Sequence, residues 1–376
     1  MANTLTNLIP DAYAALDVVS RELTGAIPGV QRDASADRLA TNQTLRSAVT
    51  PANAAADYTP AMSVPSAADE VITNKTLTLS KNRSVAFSWT GEEAYGMDQG
   101  PGFLNIRQDQ IAQAFRTLTN EMENDLCDAI ADGASRAYGT AGTTPFASSL
   151  IDSANVRKIL DDNGAPPSAR SLVIDTAAGA KLRTLGQLTK ANEAGSAMTL
   201  RDGELMNMHG FSVRESAQIN NDAVGTGTSY VLNGAASEGD TTIAIDTGSG
   251  TILAGDIVTI DGNKYVVDTG VAAPGNLVIA APGLVADVAD TTAVTVNAVS
   301  ARNLAFSQDA VTLATRLPVF PREGDLAIDS EVITDPRTGI SFDLRVYPGD
   351  GMVLYRVHAL WGWVVNKPEH AALLLG

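Results

Sequence analysis

The chain has 376 residues, 44% of them hydrophobic and only 18% charged, which is enough for two or three domains with sizeable cores. Its 43 acidic and 26 basic side chains leave a net charge of −17, which repels polyphosphate and anionic lipid and so argues against a basic nucleic-acid groove or an anionic-membrane binder. The one cysteine, Cys127, excludes an intrachain disulfide framework and fits a reducing compartment.

Residues 1–30 lack a basic n-region, and Asp11, Asp17, Arg21 and Glu22 interrupt every apolar run, so no signal peptide is expected. No window approaches the length of a membrane span. Residues 10–24 read as a short amphipathic helix, with Tyr13, Leu16, Val19 and Leu23 on one side. The Ala-, Thr- and Pro-rich stretch 28–65 is poor in large apolar groups and cannot fold alone; it is either a linker or an extended arm lying on something else. Thr76–Ser80 and Val85–Trp89 alternate about Lys81-Asn82, which predicts a hairpin whose basic end carries Lys75, Lys81 and Arg83. A lone two-stranded hairpin is not stable in water, so this one needs a neighbour, either another subunit or its own domain.

The stretch 106–137 is predicted to be one long helix. Ile111, Phe115, Leu118, Met122, Leu126 and Ile130 form an apolar stripe, Asn105 and Gln108 fit a capping box, and Gly139, Gly142 and Pro145 mark the stop. Its other face is acidic, with Asp109, Glu121, Glu123, Asp125, Asp128 and Asp132 against only Arg107, Arg116 and Arg136. At 1.5 Å per residue it is a rod of about 48 Å, much longer than the usual globular helix. Cys127 lies on it and reads as a packing residue. A shorter helix at 151–161, a buried strand at 171–175, a helix at 176–188 and a strand at 210–216 give an α+β pattern.

From Thr226 to Val299 there are eight acidic residues and one basic, Lys264. Strand candidates recur at 229–232, 241–245, 256–260, 264–268, 276–280 and 292–297, with Asp261-Gly262-Asn263 as a hairpin turn; they suggest a small β-barrel or sandwich inserted into the α+β unit. A helix at 307–315, a strand at 340–347 and a long strand at 352–365 with Trp361 and Trp363 on one face complete the chain.

Chemistry is sparse. Asp246-Thr247-Gly248-Ser249 and Asp268-Thr269-Gly270 match the aspartic-peptidase signature, but they stand close together in one Gly/Thr-rich segment where Asp-Thr-Gly also serves as plain turn chemistry. His209, His358 and His370 pair with no other histidine or cysteine at ligand spacing, so no metal, cofactor or catalytic residue is expected. Trp361 and Trp363 read as core or subunit-contact residues before a sugar platform.

The order of parts, together with the strings Thr41–Arg46, Val49–Ala52, Thr59–Met62, Arg302–Phe306, Asp309–Arg316, Asp335–Ser341 and Leu360–Trp363, resembles the major capsid proteins of tailed bacteriophages with the HK97-type fold, and among them the P22 coat-like family. The likeness covers nearly the whole chain; the departure is the insertion, which is shorter than the family's. The resemblance implies an α+β HK97-like capsid fold: an N-terminal arm (1–50), an extended segment and E-loop hairpin (51–102), a P-domain spine helix (103–149), an A-domain in two parts (150–221 and 301–334) carrying an inserted all-β domain (222–300), and C-terminal P-domain strands (335–376). It implies intersubunit contacts through Leu77, Leu79, Lys81, Arg83, Val85, Phe87 and Trp89. It also implies a shell of hexamers and pentamers around double-stranded DNA held without sequence-specific binding, assembled in a bacterial host's cytoplasm with a scaffolding protein, a portal and a decoration protein as partners. The competing readings are an encapsulin-like compartment, a peptidase built on Asp246 and Asp268, and a glycan-binding insertion.

Overall fold

The structure, a computed structural model, describes residues 23–33, 40–49, 60, 62, 73–98, 103–189, 207–221, 223–321, 324–335 and 338–376. In chain order the strands are β1 (Gln31–Arg32), β2 (Thr44–Val49), β3 (Thr73–Thr78), β4 (Lys81–Thr90), β5 (Arg136–Gly139), β6 (Arg170–Ile174), β7 (Phe211–Glu215), β8 (Tyr230–Leu232), β9 (Thr242–Asp246), β10 (Ile257–Ile260), β11 (Asn263–Thr269), β12 (Gly275–Ile279), β13 (Ala293–Val296), β14 (Arg302–Ser307), β15 (Val311–Arg316), β16 (Asp329–Thr334), β17 (Ser341–Pro348), β18 (Met352–Val365) and β19 (Ala371–Leu375). The helices are α1 (Gly91–Asp98), α2 (Phe103–Asp132), α3 (Ile151–Asp162), α4 (Thr176–Thr184) and α5 (Gly186–Thr189).

The long helix α2 has 30 residues and so is about 45 Å long. It starts and stops earlier than the predicted 106–137. The reason for the stop is tertiary: Ser135 donates from its backbone N–H (3.0 Å) and its hydroxyl (2.8 Å) to the Ala371 carbonyl, which turns the chain into β5 alongside β19. All six residues of the predicted stripe are buried, in one cluster with side chains from two sheets.

The first sheet is organised by β18. Leu360 and Trp361 pair with Asn82 and Lys81 of β4 and, at the same time, with Arg316 and Thr315 of β15, so β4 lies on one edge of β18. The opposite edge takes β17 along the first half of β18 and β15 along the second, and β16 and β1 extend the sheet from there. Phe342, Leu344 and Val346 of β17 and Tyr355, Val357 and Trp361 of β18 alternate onto the face shared with α2, where Phe115 meets Phe342 at 5.1 Å between ring centroids.

Strands β7-β6-β14-β19-β5 form a central sheet covered on both faces. Leu304, Phe306, Ala371, Leu373 and Leu375 point into the α2 cluster, while Ala305, Ala372 and Leu374 alternate into a second cluster with Val156 and Leu160 of α3 and Leu182 of α4. Burial on both sides explains why these strands read as unbroken apolar runs.

Strands β8–β13 form a ring in the order β10-β13-β8-β9-β12-β11, closed by the β10–β11 pairing, with every pair antiparallel. Tyr230, Leu232, Ile243, Ile245, Val258 and Leu277 belong to its own buried cluster. Asp261 and Gly262 take positive φ (46° and 76°) in the β10–β11 turn, as a two-residue hairpin requires. The ring joins the central sheet through β11 and β5, with Tyr265 opposite Arg136 and Lys264 opposite Ala137.

Four expectations are corrected. The predicted hairpin does not form: β3 pairs with β2, and β4 pairs with β18 over ten residue pairs, a far longer ladder than a hairpin would give. The predicted helix 307–315 is a 3-10 turn, Gln308–Ala310, followed by β15; Val311 and Leu313 alternate into the α2 cluster. The predicted helix 176–188 breaks at Leu185. Within the expected arm, Ala26, Ile27 and Val30 are core residues and β1 pairs with β15. Most of the predicted helix 10–24 lies outside the described residues; Leu23 and Thr24 are not helical.

On the sheet face away from α2, His358 sits opposite Asp343 on β17 and meets Phe320 edge-on at 5.3 Å. Burial pushes its imidazole below the usual 6.5; Asp343 and Asp325 act against this, and Arg356 and Arg345 act with it. The unfolded chain therefore takes up this proton at higher pH than the folded one, and the stability His358 contributes is full above about pH 6.5 and is lost as pH falls through the lower folded value. Chemical denaturation between pH 7 and pH 5 should show a shallower loss of stability in His358→Gln than in the parent. Where β18 passes β3, a Cβ on Gly362 would lie 2.1 Å from the Thr78 carbonyl oxygen. Gly362→Ala should cost roughly 1–3 kcal/mol in a denaturant titration, since backbone on both sides must move.

Candidate functional site

The polar side of α2 is where separate parts of the chain are fastened. Glu123 is fully buried, and its carboxylate accepts from the backbone N–H groups of Gly25 (2.7 Å), Ala26 (2.7 Å) and Ile27 (3.0 Å). A buried carboxylate is tolerated only when its lone pairs are filled, and here the N-terminal turn fills them with three donors. Asp125 accepts from the Trp361 indole N–H (3.0 Å) and pairs with Lys81 (3.2 Å), which joins α2, β18 and β4 at one carboxylate. Arg83 pairs with Glu121 at 2.6 Å, and the Trp89 indole donates to Gln110 (2.7 Å). Further along, Asp132 pairs with Arg302 of β14 at 3.4 Å.

All seven residues expected at intersubunit contacts thus have contacts within this chain. Lys81 and Arg83 face the acidic side of α2; Val85, Phe87 and Trp89 are half-buried against the α2 cluster, with Phe87 stacked on Tyr355 at 5.2 Å. Leu77 and Leu79 are buried with Ala314 and Leu360 in a small cluster that Leu45 joins. The basic strand and the acidic helix were both visible in the sequence; that they meet in one chain was not, because the charges lie some forty residues apart. The paired strands β2 and β3 form a separate two-stranded sheet.

The candidate catalytic residues are not brought together. Asp246 ends β9 and Asp268 lies on β11, with β12 between them, and they sit near opposite ends of β12, since Ile245 pairs with Gly275 and Val267 with Ile279. Two strand spacings alone are about 9–10 Å, too far for carboxylates to share a proton. Each bonds instead to its own neighbour, Thr247 or Thr269. The histidines are dispersed: His209 bonds Ser153 (2.8 Å), His370 bonds Asp309 (2.8 Å), and His358 lies in the first sheet. Burial pushes the Cys127 thiol well above its usual range, with Glu123 adding to the effect and a hydrogen bond to Ser216 opposing it, so it stays protonated and unreactive. Trp361 is fully buried and Trp363 packs beside it, so neither offers an open stacking platform.

Two sheets bridged by one long helix, a separate strand pair and a strand ring define a class of fold rather than an active site. A structure from Mycobacterium phage Che8 superposes with a TM-score of 0.53 at 17% identity, covering 94% of this chain and 91% of that one. The capsid of the cyanophage P-SCSP1u does so with a TM-score of 0.51 at 11% identity, covering 94% and 88%. No known protein family and no curated protein matches the sequence. The chain therefore shares the fold of these two phage structures, and it is rich in strands.

Glu123→Ala leaves the N–H groups of residues 25–27 without acceptors and should cost about 2–4 kcal/mol, since hydrogen bonds to a charged group are worth roughly 1.5–3 kcal/mol. Hydrogen exchange should then show the amides of residues 25–32 losing protection before those of β18; equal loss in both would mean that Glu123 does not hold the turn.

Proposed function

We propose that this protein is a major capsid protein that self-assembles into an icosahedral shell of hexamers and pentamers enclosing a phage double-stranded DNA genome. The observation that carries this reading is the likeness of fold to the cyanophage capsid along nearly the whole chain. The charge of −17 supports it: an acidic shell does not grip the DNA it encloses. Within phage capsids the P22 coat-like family is the nearer relation, on the strings at 41–62, 302–316 and 335–341. The shell assembles in the host cytoplasm with scaffolding and portal proteins, and the virion is where the mature subunit resides.

The parts take roles accordingly. The segment ahead of β2 acts as the arm, anchored in the body by Ala26, Ile27 and Val30. The pair β2–β3 is the E-loop that reaches a neighbouring subunit, Leu77 and Leu79 root it in the body, and Lys81, Arg83, Val85, Phe87 and Trp89 belong to the strand that carries it. Helix α2, β4 and β15–β18 make the P-domain, and the central sheet with α3 and α4 makes the A-domain. The ring β8–β13 is an inserted all-β domain, which its own buried cluster supports.

Electron microscopy of the expressed protein, alone and with its viral neighbours, should show closed icosahedral particles; monomers persisting under both conditions would overturn the reading. Thr76 pairs with Arg46 and is exposed, so Thr76→Pro should remove one E-loop ladder bond, leave the body folded by circular dichroism, and reduce particle yield. Val85 is unsuited to that test, because it lies inside the β4–β18 ladder and a proline there would damage the monomer.

A further inference from the structure

A cleft of about 460 Å³ lies at the seam between the strand ring and the central sheet. Its lining includes Arg136 of β5, Asn155, Lys158 and Asp162 of α3, and Asn263 and Lys264 at the start of β11. Lys264 is the one basic residue among the eight acidic ones from Thr226 to Val299, and it lines this cleft. Of the three cations only Lys158 has an ion pair among the described residues, a largely exposed one with Asp162 at 2.6 Å. Arg136 is only 7% exposed. Its Nη2 donates to two neutral acceptors, the Ile159 carbonyl (3.4 Å) and Asn163 Oδ1, and its Nε is buried with no partner. Burial works against the charge of Arg136, and the Asp162 carboxylate, already paired with Lys158, offsets it only in part.

We propose that this cleft is a binding site for a small multivalent oxyanion, held between Lys264 on the ring and Arg136 and Lys158 on the body. Three cations against one carboxylate, in a chain otherwise dominated by acid, make a local positive field in a walled cleft, where screening by solvent is reduced. The guanidinium and ammonium groups suit phosphate or carboxylate oxygens equally. The acidic surroundings select for a compact anion, since a long polyanion such as nucleic acid would meet the carboxylates of the ring. The bound anion ties the ring to the body across a seam where only two residue pairs of β11 and β5 are in register.

The test is calorimetric titration of the full-length protein with pyrophosphate and, separately, with citrate, at ionic strength held constant with sodium chloride. Saturable one-site binding of at least one anion is expected, about tenfold weaker in Lys264→Gln and in Lys158→Gln, which is the loss of roughly one charge-assisted contact, and unchanged in Lys181→Gln on α4. Which anion binds distinguishes phosphate from carboxylate chemistry. The lysines are not needed for packing, so the variants fold and the comparison stands. No saturable heat from either anion at about 10 mM, an affinity weaker than any useful site would have, or equal affinity in the parent and both cleft variants, overturns the site.

Discussion

Burial of one stripe of α2 constrains the rest of the molecule. The apolar residues of this helix, about 45 Å long, lie in one cluster with side chains of two sheets, so both sheets share its burial. Fully burying each of Ile111, Phe115, Leu118, Met122, Leu126 and Ile130 contributes roughly 1.5–3 kcal/mol, so the stripe supplies on the order of 10 kcal/mol before entropy is counted. The exposed pair Arg83–Glu121 contributes at most about 1 kcal/mol. The apolar stripe therefore drives the packing, and the carboxylates set the register at which the strands and the N-terminal turn sit along it.

Those carboxylates do not act alike. Glu121 is a surface partner, whereas Asp125 is mostly covered and receives two donors from two strands. Glu123 has no exposure at all, and its three backbone donors make a turn of the N-terminal segment part of the core. The sequence shows only an acidic face four to five residues wide, and nothing local distinguishes a solvated carboxylate from one that holds a distant segment. The difference is made by what arrives over it.

What was legible follows the same division. The strands of the ring stand close to their predicted positions because half of the pairings of β8–β13 join consecutive strands, and turns such as Asp261-Gly262 announce them. The stripe of α2 was legible because a helix bonds to itself. The partner of β4 was not: alternation in Val85–Trp89 says that a strand forms, and the choice of β18, more than 260 residues later, is made by ladder length. Val311–Arg316 misled for a related reason. Its apolar residues fit a helical spacing as well as an alternating one, and the groove between β1 and β18 decided the matter. The cleft at Arg136 could not be read at all, since its three cations come from β5, α3 and β11 and only the seam assembles them.

The distribution of open edges fits the proposed role of a tiled subunit. The ring closes on itself and has no edge to offer, whereas β4, β7 and β16 each have one registered neighbour among the described residues. Open edges are a hazard for a monomer because they template indiscriminate pairing. Here a charge of −17 opposes that approach at long range, and at physiological salt the repulsion reaches only about 8 Å. Copies must therefore come close in an orientation where short-range contacts outweigh the rim of like charge before an edge can be used. A shell built on that balance gains its selectivity from the weakness of each contact: a misplaced copy keeps the repulsion without the compensating contacts, and dissociates.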